Sequence, residues 1–319
     1  MEFFVGLDVS LDETHFCVVD EGGRIVKEGR CASEPQAIAK SIRHKGRRID
    51  HVGLETGGLS QWLFEGLTNE GFRVSVMEAR HVRAAFAAMR VKTDRNDARG
   101  IAQLVRLGWF KRVHVKSLDA QETRALLTAR AFLVEKVTAT ETSLRAALRN
   151  SGLKMGAVTR PTWAIRAREL ATGQEVPERI VEAMLRVRDL LLEELARVHG
   201  RLVALAKSDP VTRLPMTVPG AGVVVALGFR SAADEPDRFS RTRDVGSWPG
   251  LTPRRWQSGK TDIVGRITKG GDARVRTMLF EAAATILGRV RLMSPLKAWG
   301  LRIAKRTARR RRSWPWHGN

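Results

Sequence analysis

The first hundred residues alternate short apolar stretches, typical of strands, with stretches whose apolar positions recur every three or four residues, typical of helices. Glu21, Gly22 and Gly23 lie between the second and third strand-like stretches and favour a hairpin turn. The predicted strands cover residues 3–9, 15–19, 24–31, 51–55 and 72–77, and the predicted helices begin at Ser33 and near residue 62. Three antiparallel strands followed by alternating helices and strands predict a ribonuclease H-like α/β domain.

Two long amphipathic stretches come next. Leu126, Leu133, Val137, Leu144 and Leu148 are spaced by sevens and fours, as in a coiled-coil seam. A second apolar stripe of the same kind ends near residue 207. We interpret the two stretches as long antiparallel coiled-coil helices that form a spacer between domains, and dimerisation through them is the alternative interpretation.

After residue 208 the chain becomes compact again, with short helices and glycine-rich turns up to about residue 291. The turn at residues 219–222 leads into an apolar helix and resembles half of a helix-hairpin-helix, although an ordinary helix start fits it equally well. We therefore expect an α/β domain at residues 1–115, a helical spacer at 116–208, a mainly α domain at 209–295 and a basic tail at 296–319.

The chain carries 56 Lys and Arg against 34 Asp and Glu, which gives a net charge of +22. This excess predicts a nucleic acid as the partner without naming the activity. The sequence lacks an apolar run of the roughly 18 residues that a membrane helix needs, and its start lacks the order of a signal peptide. We expect a cytoplasmic protein that is nucleoid-associated when bound to DNA. Cys17 and Cys31 are too few for a zinc site and are expected to be reduced and structural.

Four acidic residues stand where predicted elements end or begin. Asp8 ends the first strand, Glu55 ends the fourth, and Asp94 and Asp97 lie three apart at the start of a helix. Because strand ends of this kind meet at one edge of an α/β sheet, we expect the four carboxylates to converge. Such a cluster predicts a Mg²⁺ site, with two ions, for chemistry on phosphodiesters. The structural alternative is that Asp94 caps the helix while Asp97 interacts favourably with its dipole.

The motifs around these acids resemble those of a known family. GLDVS around Asp8, LETGG around Glu55 and KTDRNDA around Asp94 and Asp97 are similar to the Asp-Glu-Asp-Asp (DEDD) transposases of the insertion sequence 110 (IS110) family, related to the Piv/MooV DNA invertases. VPGAG at residues 218–222, GLTPRRWQSGK at 250–260 and GRITKGGDARVR at 265–276 extend the resemblance to roughly residues 1–291.

This resemblance implies a RuvC-like (ribonuclease H-like) catalytic domain at residues 1–115, a coiled coil, and a serine-bearing transposase domain at 209–295. By motif position the nucleophilic serine is Ser258, which implies DNA cleavage and rejoining through a phosphoserine bond. The resemblance also implies element-end and target DNA as partners, a non-coding bridge RNA that pairs with both in some members, and a homodimer or tetramer.

Ser258, by itself, is typical of a turn, because it stands between Gln257 and Gly259. Its surroundings favour chemistry on a phosphate, since cations would stabilise the non-bridging oxygens. The candidate nucleic-acid-binding residues are Arg254, Arg255, Lys260, Arg266, Lys269, Gly220 and Gly222, the glycines through the backbone N–H groups of their turn. For Trp248 we expect core packing, whereas Trp256 has two interpretations, core packing or base stacking.

Residues 301–319 depart from the family pattern, because they are rich in Arg and Trp and have no periodic apolar face. We expect no packing helix there, as in a truncated or frameshifted terminus. Three alternatives to an active recombinase therefore stay open: a RuvC-like structure-selective endonuclease, an inactive nucleic-acid-binding transposase remnant and, ranked last, a housekeeping RNA-binding protein.

Overall fold

A computed structural model describes residues 2–43, 48–87 and 93–312, with the side chains of Thr242, Arg243 and residues 307–312 excepted. The chain divides into two compact units, Met1–Lys116 and Ser117–Asn319. No helix of the described residues is long and apolar enough to cross a membrane.

The first unit is built on a five-stranded mixed sheet. Its elements are β1 Phe3–Val9, β2 Glu13–Asp20, β3 Ile25–Ala32, α1 Pro35–Ile42, β4 Ile49–Glu55, α2 Ser60–Asn69, β5 Val74–Met77, α3 Ala79–Ala85 and α4 Asp94–Leu107. The strand order is β3-β2-β1-β4-β5. The first three strands pair antiparallel, whereas β1, β4 and β5 pair parallel. This arrangement confirms the predicted α/β domain and is consistent with a ribonuclease H-like fold.

The alternation along β1 gives each face of the sheet its own core. Val5 and Leu7 belong to an apolar cluster that includes residues of α1 and α2. Phe4 belongs to the cluster on the other face, with Ile101 and Ala102 of α4. A strand that is apolar on both faces is the pattern expected when helices cover both sides of a sheet.

Two paired glycines let α4 lie unusually close to the sheet. Gly6 of β1 pairs with Gly53 of β4. A Cβ atom on Gly6 would lie 2.2 Å from both the Ala102 backbone N and the Ala98 backbone O, and one on Gly53 would lie 2.3 Å from Val105 Cγ2. Any larger residue at these positions would push α4 off the sheet.

The second unit is mainly helical. Its elements are α5 Leu118–Asn150, α6 Trp163–Ala171, α7 Glu175–Ser208, α8 Pro210–Met216, α9 Val223–Ala233, a 3₁₀ turn Pro236–Arg238, α10 Thr242–Ser247, β6 Pro253–Ser258, β7 Thr261–Ile267, α11 Ala273–Gly288 and α12 Pro295–Arg312.

The long helices α5 and α7 pack antiparallel. Leu148, near the end of α5, shares a buried cluster with Leu185 in the first third of α7. Leu127, near the start of α5, shares another with Leu202, near the end of α7. The second long helix begins at Glu175, well before the stripe from which it was predicted. Both cysteines are free, with Cys17 buried and Cys31 half-buried.

Two expectations for the second unit were wrong. Residues 253–267, predicted as part of a loop and short helices, form the β6–β7 hairpin, whose first strand is exposed at every position and so has no in–out alternation to reveal it. Residues 295–312 form helix α12, where no packing helix was expected. Gly300 of α12 packs against Leu287 of α11, and Arg, Lys and Ala all favour helices.

We predict that Gly6→Ala lowers the free energy of unfolding by about 1–3 kcal/mol, because the new methyl group overlaps the α4 backbone. Urea unfolding followed by circular dichroism measures this loss. Gly58→Ala is the matched control, since a Cβ atom there meets no atom within 4 Å. Equal stability of the Gly6→Ala variant and the unaltered protein would contradict the close packing of α4.

Candidate active site

Asp8 and Glu55 lie side by side at the carboxyl edge of the sheet. Leu7 of β1 pairs with Leu54 of β4, so the next residue of each parallel strand is an acid. Asp8, Glu55 and Asp97 line one cavity of about 440 Å³, together with backbone and side chains of Val9, Ser10, Leu11, Thr56, Gly57, Gly58, Leu59 and Ser60. A cavity of about 510 Å³ lies at the opposite edge, where β4 and β5 begin, and contains none of the predicted acids.

Helix α4 brings the other two acids to this edge. Thr93 is its N-cap, because the Thr93 hydroxyl accepts a hydrogen bond from the Asn96 backbone N–H at 3.2 Å. Asp94 is therefore the first helical residue, and the alternative that Asp94 itself caps the helix was wrong. Asp94 Oδ2 lies 3.9 Å from Nδ1 of His15, the residue paired with Asp8 across β1 and β2.

The electrostatics of Asp8 link all four acids. The pKa of the Asp8 carboxyl is raised from 3.8 to about 6, first by burial and then by the nearby carboxylates of Asp97, Asp94 and Glu55, in that order, against an opposing effect of His15. Like charges at short range disfavour ionisation of each other. The four predicted residues are thus gathered around one half-buried carboxyl group.

The donor chemistry of this cluster fits a hard divalent cation. Carboxylate oxygens are the protein ligands that Mg²⁺ prefers, and a cation would relieve the repulsion that raises the pKa of Asp8. Within the described ranges, however, no three His, Cys, Asp or Glu side chains are grouped closely enough to hold a metal ion as they stand.

A clamp that the sequence did not predict fixes the start of α4. Glu28 of β3 accepts hydrogen bonds from Arg99 Nε at 2.8 Å, from Arg99 Nη2 at 2.9 Å and from Arg95 Nε at 2.9 Å. These bonds lower the pKa of Glu28 to about 2. The sequence does show two arginines beside the acids, Arg95 between Asp94 and Asp97 and Arg99 just after them. It gives no sign that their partner is a glutamate on β3.

Ser258 lies in the second unit, at the tip of the β6–β7 hairpin. It pairs with Thr261 across the two-residue turn of Gly259 and Lys260, and Gly259 has a φ of +54°. The whole of β6 is exposed. Ser258 is therefore the last residue of a strand and not a residue of an open loop, and it is accessible to a large substrate.

The five cations of this region differ in their availability. Arg255 donates two hydrogen bonds to Asp262, at 2.7 and 2.6 Å, which offsets its charge. Arg254 Nη2 donates to the Thr268 carbonyl at 3.2 Å. The side chains of Lys260, Arg266 and Lys269 are exposed, so these three are the better placed to contact a phosphate.

The glycines of the residue 219–222 turn have different tasks. Gly222 is the N-cap residue of α9, and a Cβ atom there meets nothing within 4 Å. Gly220 has a φ of +92° and packs against Ile286 of α11.

The two tryptophans also differ. Trp248 contacts the rings of Phe229 and Phe239, which confirms the predicted packing role. Trp256 lies over Gly265 of the neighbouring strand and is 54% exposed.

We predict that Asp8→Asn stabilises the metal-free protein at pH 7 by roughly 1–3 kcal/mol, because it removes a carboxylate that is ionised against its environment. Asp8 keeps its proton in the folded state between its ordinary pKa of 3.8 and about 6. Stability therefore falls as pH rises through this window, and the fall is absent in Asp8→Asn. Thermal melts in EDTA from pH 4 to 7 measure it, with exposed Asp12→Asn as control. An equal fall in stability with pH in the unaltered protein and in Asp8→Asn would contradict the prediction.

Glu28→Gln should destabilise the protein at pH 7 by roughly 1–2 kcal/mol, because charge-assisted hydrogen bonds to Arg95 and Arg99 are lost. The folded-state pKa is depressed, so the stabilisation is present above the ordinary pKa of 4.5 and is lost as pH falls towards 2. Urea unfolding measures the difference. Glu13→Gln removes the exposed pair with Arg30 on the same sheet and should change stability little. Equal effects of both substitutions would refute the clamp.

Comparison with known proteins agrees with this geometry. Residues 5–152 match the profile of the DEDD transposases of IS110 type, and residues 212–297 match that described as the transposase IS116/IS110/IS902 family. The chain is 26% identical over 306 residues to the transposase for insertion sequence element IS1111A of Coxiella burnetii, covering 93% of this chain and 81% of that protein.

Two further relatives carry similar names. The transposase for insertion sequence element IS1328 of Yersinia enterocolitica is 24% identical over 253 residues, covering 76% of this chain and 72% of that protein. A probable family 20 transposase of Pseudomonas aeruginosa is 28% identical over 203 residues, covering 61% of this chain and 60% of that protein. The first profile covers the first unit and the start of the second, and the second profile lies within the second unit. The chain therefore belongs to the IS110 family of DEDD transposases, which act in DNA transposition.

Proposed function

We propose that this chain is the recombinase of an insertion sequence and that it cuts and rejoins DNA with four acids of the first unit and one serine of the second. The observation that carries the proposal is the gathering of Asp97, Asp94 and Glu55 around Asp8 at the carboxyl edge of the sheet. Acids alone would also suit a structure-selective nuclease. The Ser258 hairpin, within the part of the chain that matches a transposase profile, favours the recombinase.

The four carboxylates of Asp8, Glu55, Asp94 and Asp97 are proposed to hold Mg²⁺, as two ions. A divalent cation bound there would supply Lewis-acid stabilisation of the oxygens of a phosphodiester. The other three carboxylates raise the pKa of Asp8, so loss of the Asp8 proton is proposed to accompany binding of the cation. The Glu28 clamp keeps Asp94 and Asp97 at the sheet edge, so the pair stays oriented before DNA arrives.

Ser258 is proposed to attack the scissile phosphate. Its Oγ forms a bond to phosphorus, the bond from phosphorus to one deoxyribose oxygen breaks, and the serine proton passes to that oxygen. The energy of the phosphodiester is kept in the phosphoserine, so a deoxyribose hydroxyl of another strand end can reverse the reaction and rejoin DNA. Lys260, Arg266 and Lys269, exposed on or beside the same hairpin, offset charge on the non-bridging oxygens. Arg254 and Arg255 are proposed to contact DNA once their present partners are exchanged.

The remaining parts have proposed roles in assembly. The antiparallel pair of α5 and α7 suits a coiled-coil spacer at residues 116–208, followed by a serine-bearing domain at 209–295. The turn between α8 and α9 suits a helix-hairpin-helix in which the backbone N–H groups after Gly222 hold a phosphate. Exchange between two DNA partners requires a homodimer or tetramer, with Ser258 acting in its own subunit or in another. The bridge RNA rests on the family resemblance and on the net charge of +22.

The proposal predicts a covalent complex between the full chain and DNA that carries the element's ends, in Mg²⁺ and with its adjacent non-coding RNA. Ser258→Ala should abolish this complex, seen as a band resistant to denaturation, while DNA binding is retained. Thr261→Ala is the matched control, because it removes the hydroxyl directly across the turn. A complex retained in Ser258→Ala, or lost only in Thr261→Ala, would overturn the assignment of the serine.

The same reaction tests the other parts of the proposal. Asp8→Asn should lose the covalent complex with Ser258 intact, and hydrolysed ends without attached protein would favour the structure-selective nuclease. Binding without any cleavage in Mg²⁺ would identify an inactive remnant. Omission of the RNA tests the guide, since a complex of equal yield without it would refute the requirement.

A further inference from the structure

A third cavity lies far along the chain from the serine hairpin, between the second half of the long helix α5 and the start of α6. Its volume is about 400 Å³. It is lined by Val134, Val137, Thr138, Glu141, Thr142, Arg145, Val158, Arg160 and Trp163. None of these residues belongs to the acidic site or to the Ser258 hairpin.

Trp163 forms the inner wall of this cavity. Its side chain is almost fully buried, in a cluster with Leu144 and Leu185. Two guanidinium groups lie over the indole ring, that of Arg188 at 4.9 Å and that of Arg145 at 6.0 Å from the ring centroid. The aromatic ring thus fixes cationic groups at the cavity, and such contacts favour a desolvated cation.

Arg188 is only 4% exposed, yet its hydrogen bonding is incomplete. Its Nε donates to Glu141 Oε1 at 2.7 Å, and its Nη1 lies 3.5 Å from Asp189 Oδ1. Its Nη2 is buried and has no hydrogen-bond partner among the described residues. A buried donor without a partner is unfavourable, and both contacts that orient this guanidinium, Glu141 and Trp163, line the cavity.

The charge around the cavity favours an anion. Arg145 and Arg160 line it, and the one carboxyl group among its lining residues, that of Glu141, is already paired with Arg188. Within the described residues Arg160 forms no ion pair. The segment of residues 142–168 contains six Arg and Lys and no Asp or Glu. Two of the six, Arg166 and Arg168, are paired with glutamates. The other four leave a positive surface that extends beyond a single small ion, at Arg145, Arg149, Lys154 and Arg160.

We propose that this cavity is a binding site for a backbone phosphate of a nucleic acid. The non-bridging oxygens of a phosphodiester accept hydrogen bonds, which matches the guanidinium groups of Arg145 and Arg160 that line the cavity. Neighbouring phosphates of the same strand lie along Arg149 and Lys154. The strand is thereby held at the end of the helical spacer, away from the proposed chemistry in sequence, and the site positions nucleic acid without reading its bases.

The test measures binding in a Ser258→Ala background and in EDTA, so its result does not depend on cleavage or on the assignment of the serine. Fluorescence anisotropy at several salt concentrations gives the affinity for a labelled DNA duplex and for an RNA hairpin. Removal of one cation that binds a phosphate lowers the slope of log affinity against log salt by about 0.9 for duplex DNA and somewhat less for RNA. We expect Arg160→Ala to lower the slope by about this amount, and Arg145→Ala with Arg160→Ala to lower it further.

Arg179→Ala is the matched control, because Arg179 is highly exposed on α7 and paired with Glu175. A reduced slope in the Arg160 variant with DNA alone, with RNA alone or with both supports the site and identifies the source of the phosphate. Unchanged slopes with both ligands, or an equal reduction in Arg179→Ala, would overturn it. Arg160 is exposed, so unchanged thermal melting will show that weaker binding is not a failure of folding.

Discussion

The close contact between α4 and the two glycines of the central strands is the constraint on which the acidic site depends. Gly6 lets the α4 backbone at Ala98 and Ala102 lie directly on β1, and Gly53 leaves room for the Val105 side chain of the same helix. The helix start then falls beside the strand ends that carry Asp8 and Glu55. Glu28 holds the start of the helix in place, since two arginines of the first turns of α4 donate hydrogen bonds to it. Packing and ion pairing together thus position the start of α4 beside Asp8 and Glu55.

The four carboxylates repel one another when ionised, and the protein folds in spite of this repulsion. Asp8 is disfavoured as an anion at neutral pH by burial and by three neighbouring carboxylates. A fold selected for stability alone would place an amide or an apolar residue there. The site shares this conflict with other functional sites, where local strain is balanced by stability elsewhere. Here the two apolar clusters on the faces of the sheet provide that stability.

The sequence predicted what local periodicity encodes and missed what long-range pairing decides. The strands of the first unit and the four acids followed from apolar alternation and from the position of charges at element ends. The Glu28 clamp did not, because a glutamate on a strand gives no sign of the arginines that meet it some seventy residues later. The hairpin around Ser258 was missed because Arg254, Trp256 and Ser258 are all exposed and show no alternation. Helix α12 was missed because the prediction relied on a periodic apolar face, which this segment lacks. Its Arg, Lys and Ala residues nevertheless favour a helix by propensity.

The exposed hairpin has a consequence for how the recombinase is controlled. A two-stranded ribbon without a covered face has little stability of its own, so its shape is set by what it touches. We therefore expect the proposed nucleophile Ser258 to become well ordered only after its substrate has docked. For a mobile element, such late ordering of the proposed nucleophile would limit stray breaks in the chromosome that the element itself inhabits.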